Sequence, residues 1–241
     1  MKYSFDLLDW QAVAPGLRSK QQWNQWALHQ IAPTFAEVLA KSPLIPMMSD
    51  RRMSPPSRAA VEAGLTLLAV NHADAAIFTS RHGELEKTFK ILQRLSAEDS
   101  VSPTDFSTSV HNTAAGWLTI INKNPLPITS LAAGKDSFHQ GLLEAQAMLL
   151  TGTERVLLID FDGLTPSMYP QSEGGLFYPY AVALILAKGN SLSYEQIVQL
   201  SAEVDNDPLP QGLQFLRHWL RKTDAFQIDS GEKLWRWNCN V

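Results

Sequence analysis

The chain has 241 residues, 45% of them apolar and 18% charged, with a formal net charge of −4. That length suits one large α/β domain or two small ones, and charge spread without long runs excludes a disordered chain, a nucleic-acid binder and an anionic-membrane binder. The single cysteine, Cys239, excludes an intrachain disulfide, a four-thiolate zinc site and a Cys-x-x-Cys redox pair.

Charged content lies below the roughly 25% of ordinary soluble domains, while aromatic side chains are plentiful. With 7 Trp and 10 Phe, large apolar surfaces must be buried internally or against a partner. The N-terminus MKYSFDLLDW interrupts its apolar run with Asp6 and Asp9 and so lacks the core of a signal peptide. No stretch reaches the roughly 18 apolar residues of a membrane span, so the expected location is cytoplasmic, without membrane insertion.

In chain order, Tyr3 to Trp10 reads as a strand closed by Ala14-Pro15-Gly16, and Ser19 is placed to cap a helix carrying Trp23, Trp26 and Ala27. Pro43, Pro46, Pro55 and Pro56 predict an extended connector containing Arg51-Arg52. Ser57 to Val70 is Ala/Leu-rich and predicts a buried helix with Ser57 as its N-cap. Asp74 to Ser80 predicts a short buried strand, and Leu85, Phe89, Leu92 and Leu95 give an amphipathic helix. After Pro103, Thr108 to Ile121 reads as helix, and Ile128 to Ala132 as a short strand entering Ala133-Gly134-Lys135-Asp136 and a long helix, Ser137 to Leu150. The continuous apolar runs Arg155 to Asp160 and Tyr180 to Ala187 predict inner strands covered on both faces. Ser193 to Val204 and Gln211 to Lys222 read as helices, and Phe226 to Trp237 as a last strand. With no repeat or linker, residues 1–241 are expected to form one layered α/β domain.

The turn from Ala133 to Ser137 joins a strand to a helix N-terminus, where backbone N–H groups and the helix dipole support a nucleophile or an anion. A phosphate loop fails there, since Thr129 stands where its first Gly is needed and Asp136 where Ser or Thr must follow the Lys. A nucleophile elbow at Ser137 fails because Lys135 and His139 occupy its glycine positions, which leaves Ser137 as a helix cap. Asp160 and Asp162 share one side of a strand end, a placement for acid/base work or a metal, or simply a strand terminus. The histidines His29, His72, His82, His111, His139 and His218 show no metal-ligand spacing, so no metal or cofactor is expected. His111 stands out at the start of a buried helix, where a covered ring needs a partner.

The stretch SPTDFSTSVHNTAAGWLTIINKNPLPITSLAAGKDSFHQGLLEAQAMLLTGTERVLLIDFD, Ser102 to Asp162, resembles the N-terminal half of β-ketoacyl synthases of the thiolase-like superfamily. It is most similar to the short chain-length-factor-like members found in aryl polyene biosynthesis. Arg51-Arg52-Met53-Ser54-Pro55, Phe78 to Glu86, and Gly174-Gly175 ahead of Tyr180 support the match, which covers most of residues 1–190. The resemblance implies a thiolase-like layered α/β/α fold, truncated to the N-terminal ketosynthase half, with a mixed sheet and helices on both faces. In condensing members a cysteine at a helix N-terminus takes the acyl chain. Here that slot falls on Gly134 or Lys135, neither of which forms a thioester, and the sequence stops before the half that carries the family's two histidines, its lysine and its oxyanion loop.

The resemblance therefore implies a non-catalytic subunit that pairs with a full-length ketosynthase acting on acyl carrier protein and shapes its acyl tunnel. Thr104, Asp105, Phe106 and His111 are the implied tunnel contacts, with Phe106 as wall or gate, and Arg51, Arg52 and Arg58 are cations suited to an acidic carrier. The competing expectations are an autonomous thioester acyltransferase or hydrolase using Ser137, His139 or Asp160, and a purely structural homodimer.

Overall fold

The computed structural model describes residues 2–31, 39–166, 168–169, 179–198, 207–230 and 233–240. Strand β1 (Lys2–Val13) leads to α1 (Lys20–Ala27), which starts with a capping box. Ser19 Oγ accepts from Gln22 N–H at 3.2 Å, and Gln22 Oε1 accepts from Ser19 N–H at 2.9 Å. Trp23 and Trp26 then bury one face of α1, and the Trp23 indole donates to the Ala12 carbonyl at 2.8 Å.

The proline-bounded connector contains a one-turn helix, α2 (Met47–Asp50), and feeds α3 (Pro55–Leu68). The cap of α3 is Ser54 rather than Ser57. Pro55 and Pro56 occupy the first helical positions, where a missing N–H is harmless, and Ser54 Oγ accepts from Ser57 N–H at 3.3 Å. Ser57 lies inside the first turn, and its hydroxyl donates to Glu84 instead.

Next come β2 (Ala75–Thr79), α4 (Leu85–Ser96), α5 (Pro103–Ser107) and α6 (Thr113–Asn122). The helix expected over Thr108 to Ile121 begins only at Thr113 and runs to Asn122, after a separate short α5 that ends at Ser107. The hydroxyls of Ser107, Thr108 and Ser109 bond back to the carbonyls of Thr104 and Phe106 and close α5, so the chain restarts at α6. Strand β3 (Ile128–Leu131), a 3₁₀ turn at Gly134–Asp136, α7 (Ser137–Leu150) and β4 (Arg155–Asp162) follow as expected.

Strand β5 (Tyr180–Val198) extends well past Ala187. The helix expected from Ser193 is a strand as far as Val198, because this segment pairs with β1 on one side and β7 on the other and buries Leu192 and Tyr194; residues 199–204 lie outside the described residues. Helix α8 (Gln211–Leu220) precedes an antiparallel pair, β6 (Ala225–Asp229) and β7 (Lys233–Cys239), where one strand was expected. Gly174-Gly175 lie outside the described residues.

The seven strands form one mixed sheet in the order β3-β2-β4-β5-β7-β6, with β1 on β5. Strands β2, β3 and β4 run parallel, and the remaining pairings are antiparallel. Alternation along β4 sends Leu157, Ile159 and Phe161 toward α3 and α6, and Val156 and Leu158 toward α7, α1 and α8. Both faces are thus covered, which is why Ala75–Phe78 of β2, Val156–Ile159 of β4 and the first half of β5 are continuously apolar. Among the described residues no helix is long and apolar enough to cross a membrane.

Candidate functional site

The carboxyl ends of β3, β2 and β4 lie side by side, and the turn after β3 is the first place to look for chemistry. Gly134 takes a φ of +59° there, and open space surrounds the position of an added Cβ. Gly134 and Lys135 are exposed. Ser137 is the first residue of α7 and does not cap it. Its hydroxyl donates to the Gly134 carbonyl at 2.8 Å and accepts from Ala133 N–H at 3.0 Å, pinning the turn from inside.

Asp136 ties this turn to the rest of the fold. Its Oδ1 accepts from Gln211 Nε2 and from the Trp235 indole, both at 2.9 Å. The amide oxygen of Gln211 lies 2.6 Å from His139 Nδ1, and the Trp237 indole donates to His139 Nε2 at 3.1 Å. An indole N–H only donates, so Nε2 must carry the lone pair and Nδ1 the proton, a tautomer assigned from this network. Protonation would set two donors against each other, and burial pushes the His139 pKa down to about 4. The neutral ring stacks on Trp235 at 4.5 Å and 6°. Ser137 and His139 therefore have their hydrogen-bonding capacity spent within the fold, which argues against a hydrolytic pair.

The carboxylates at the end of β4 are equally engaged. Asp160 accepts from Thr79 Oγ1 at 2.8 Å and from the Tyr180 hydroxyl at 2.7 Å, and its carboxyl lies against the Gly212 backbone at the start of α8. Burial raises its pKa to about 7, against the opposing pull of those hydroxyls. Asp162 accepts from Ser80 Oγ at 2.8 Å and from the backbone N–H groups of Arg81 and His82 at 2.9 and 3.0 Å; burial raises its pKa as well. The pair shares a strand end as expected, yet Asp160 ties β2 to the start of β5 and Asp162 holds the loop after β2, both buried rather than facing a cleft. No group of three or more metal-ligating side chains occurs among the described residues.

Of the remaining candidates, His111 lies beside β3, while the others sit on α5 and in and around the connector before α3. His111 Nε2 donates to the Ser80 carbonyl at 3.1 Å, with its ring against Gly83, whose φ of +55° also favours glycine. His111, Asn112, Ala115, Gly116, Ile128 and Ser130 line an open groove of about 820 Å³ between α6 and β3. Thr104, Asp105 and Phe106 sit on α5; Asp105 pairs with Arg94 at 3.0 Å, and Phe106 is 65% exposed. Arg51 and Arg52 are exposed, whereas Arg58 is half-buried and pairs with Asp50 at 3.5 Å. The sequence offered no signal for Gln211, Trp235 or Trp237 as partners of the turn, because each lies more than seventy residues from it.

Strand β3 ends the sheet order, and its residues Ile128–Leu131 carry no charge. Strand β1, paired only with β5 among the described strands, is irregular between Phe5 and Asp9, and Asp6 there accepts from the N–H groups of Asn190 and Ser191. Such breaks and inward charges blunt an edge, and β3 has neither.

Residues 23–238 match the family model described as beta-ketoacyl synthase, N-terminal domain. The chain belongs to this family. Its sheet and helices superpose with a TM-score of 0.89 on a chain of the ketosynthase (ApeO) in complex with its chain length factor (ApeC) from Xenorhabdus doucetiae. That chain is 43% identical, and the match covers 98% of this chain and 99% of that one. The ishigamide ketosynthase/chain length factor shares the fold at a TM-score of 0.61 and 15% identity, covering 83% of this chain and 69% of that one. A type II polyketide acyl-carrier protein in complex with its ketosynthase, AntDE:AntF, matches at 0.54 and 12% identity, covering 83% and 70%. No curated protein matched the sequence. Within the beta-ketoacyl synthase family, the fold anticipated from the sequence, a layered mixed sheet of the thiolase-like type, is the fold observed.

Proposed function

We propose that this chain is a non-catalytic, chain-length-factor-like subunit that pairs with a full-length ketosynthase and shapes its acyl tunnel during aryl polyene elongation on acyl carrier protein. The observation that carries this reading is a pairing of features. A turn with no thiol to carry a thioester, Gly134-Lys135, stands beside an uncharged sheet edge and an open groove. The 43% identical relative comes from a ketosynthase in complex with its chain length factor, which supports the same division of labour here. The occupied hydrogen bonds of Ser137, His139 and Asp160 favour it over autonomous hydrolysis.

In this reading the ketosynthase lies along β3 and α6, covering the groove and Ile120, which is 64% exposed. Phe106, on α5, reaches into the partner's tunnel. Co-expression with the ketosynthase should give one complex by size-exclusion chromatography with light scattering. Gly116→Arg fills the groove from an exposed helical position where nothing lies within 4 Å of the new Cβ. That variant should fold and elute apart from the ketosynthase. A ketosynthase that elutes separately from the wild-type chain and condenses normally without it sinks the proposal. Phe106→Ala should change product length while the pair stays intact, and unchanged products remove its gating role.

A further inference from the structure

Helices α4 and α5 are placed more by polar ties than by packing. No residue of either helix is fully buried, and Leu92, Leu95 and Phe106 are each more than half exposed. The root of α4 is fixed: buried Glu84, just before the helix, accepts from the hydroxyls of Ser54 and Ser57 at the start of α3. With so little apolar burial beyond that root, the hydrogen bonds farther along α4 decide where α5 sits.

Two ties reach α5, one on each side of Phe106. Arg94 pairs with Asp105 at 3.0 Å, and Lys87 Nζ donates to the Thr108 carbonyl at 3.2 Å. The two differ in strength. Arg94 and Asp105 are both about half exposed, so solvent and salt weaken their pairing. Lys87 is half-buried and also donates to the Arg52 carbonyl at 2.8 Å. Arg52 stands one residue before buried Met53 and two before Ser54, the cap of α3, so its carbonyl belongs to an anchored part of the chain. A charged donor holds such carbonyls more strongly than a neutral one, and this ammonium joins the entry of α3 to the end of α5. Lys90, three residues on, pairs instead with Glu86 on the surface of α4 itself.

We propose that Lys87 is a positioning residue for Phe106: by holding the Thr108 carbonyl against the connector, it sets how far the Phe106 ring reaches into the ketosynthase tunnel and so the length at which elongation stops. The proposal rests on the function given above. Lys87 acts through the α5 backbone, two residues beyond the ring, and so changes where the wall stands rather than what it is made of.

The test uses the purified complex with the ketosynthase, extending chains on acyl carrier protein together with the reducing and dehydrating enzymes that a polyene requires, and reads the cleaved chains by mass spectrometry. Lys87→Met keeps the stem and removes the donor; Arg52 is exposed and Thr108 half-buried, so water takes the freed carbonyls and the fold survives. This variant should co-elute with the ketosynthase and keep total condensation within about twofold of wild type, while the share of the main product length falls by about twofold or more. Lys87→Arg, which keeps the donors, should restore the wild-type lengths, and Arg94→Gln should leave them near wild type. Added to Phe106→Ala, Lys87→Met should change nothing further, because its effect passes through that ring. Wild-type lengths from Lys87→Met overturn the proposal, as do an equal shift from Arg94→Gln, a further shift in the Phe106→Ala background, or loss of the complex. If Phe106→Ala itself leaves the products unchanged, the gating reading fails instead. The fluorine resonance of a fluorophenylalanine at position 106 then decides the placement, since in the complex it should move with Lys87→Met and stay put with Arg94→Gln.

Discussion

Asp160 gives the sharpest physical test of how the interior beside the candidate turn is built. Its carboxyl is buried between Thr79 and Tyr180, and its pKa rises from 3.8 to about 7. A group whose pKa is raised on folding contributes stability below the unfolded value and loses it as pH climbs through the folded value. For Asp160 the loss runs from about pH 4 to pH 7 and amounts to about 4 kcal/mol once the carboxylate is ionised. Asp160→Asn keeps the shape and two polar atoms for the hydroxyls but cannot ionise. It should be about 1 kcal/mol less stable than wild type near pH 4, through a poorer hydrogen bond, and about 3 kcal/mol more stable at pH 8. His139 slopes the other way: its pKa falls from 6.5 to about 4, so its contribution is complete above pH 6.5 and lost as pH drops toward 4. The wild-type profile alone therefore mixes two opposed trends, and the difference between wild type and Asp160→Asn, from urea unfolding at each pH between 4 and 8, cancels the histidine. A difference that stays constant over that range refutes the reasoning.

Three further outcomes follow from single residues. His139→Phe keeps a flat ring against Trp235 but strands the Gln211 amide oxygen and the Trp237 indole, so urea unfolding at pH 7.5 should show a loss of about 2–5 kcal/mol, partly recovered when Trp237→Phe is added. Gly134→Ala meets no atom within 4 Å yet should cost about 1 kcal/mol by the same assay, because the φ of +59° disfavours any Cβ. Gly116→Ala, within α6, should stabilise the isolated chain by about 0.5–1 kcal/mol and weaken its affinity for the ketosynthase, a sign reversal that calorimetry of both species would reveal.

Much of the fold was legible because its strands are covered on both faces. Ala75–Phe78 of β2, Val156–Ile159 of β4 and the first half of β5 read as unbroken apolar runs, and α7 carried enough buried positions to stand out. The second half of β5 misled because Ser193 to Val198 mixes polar and apolar residues at spacings a helix also accepts, and only pairing with β1 and β7 decides it. Ser57 misled because it lies three positions from the true cap, with two prolines between. At the candidate site the turn was legible from Gly134 and its flanking elements. Its support was not: Asp136, Gln211, His139, Trp235 and Trp237 meet only after α8 and β7 have folded against α7, and no local pattern marks residues that pair over such separations.

Strand β3 is only four residues long, and that limits what its edge can contribute to association. Each backbone hydrogen bond exchanged there adds about 0.5–1.5 kcal/mol net, so pairing alone yields a few kcal/mol, much of it offset by the cost of fixing two chains together. Specific pairing thus needs apolar burial beside the strand, which at about 25 cal/mol per Å² the groove between α6 and β3 is shaped to supply. The bare edge would then set register and direction, while the α6 face sets affinity. It follows that Gly116→Arg should disrupt the ketosynthase complex far more than Thr129→Ala, a change on the strand that leaves every backbone donor and acceptor in place. Equal effects from the two would place the binding energy in the strand instead of the helix.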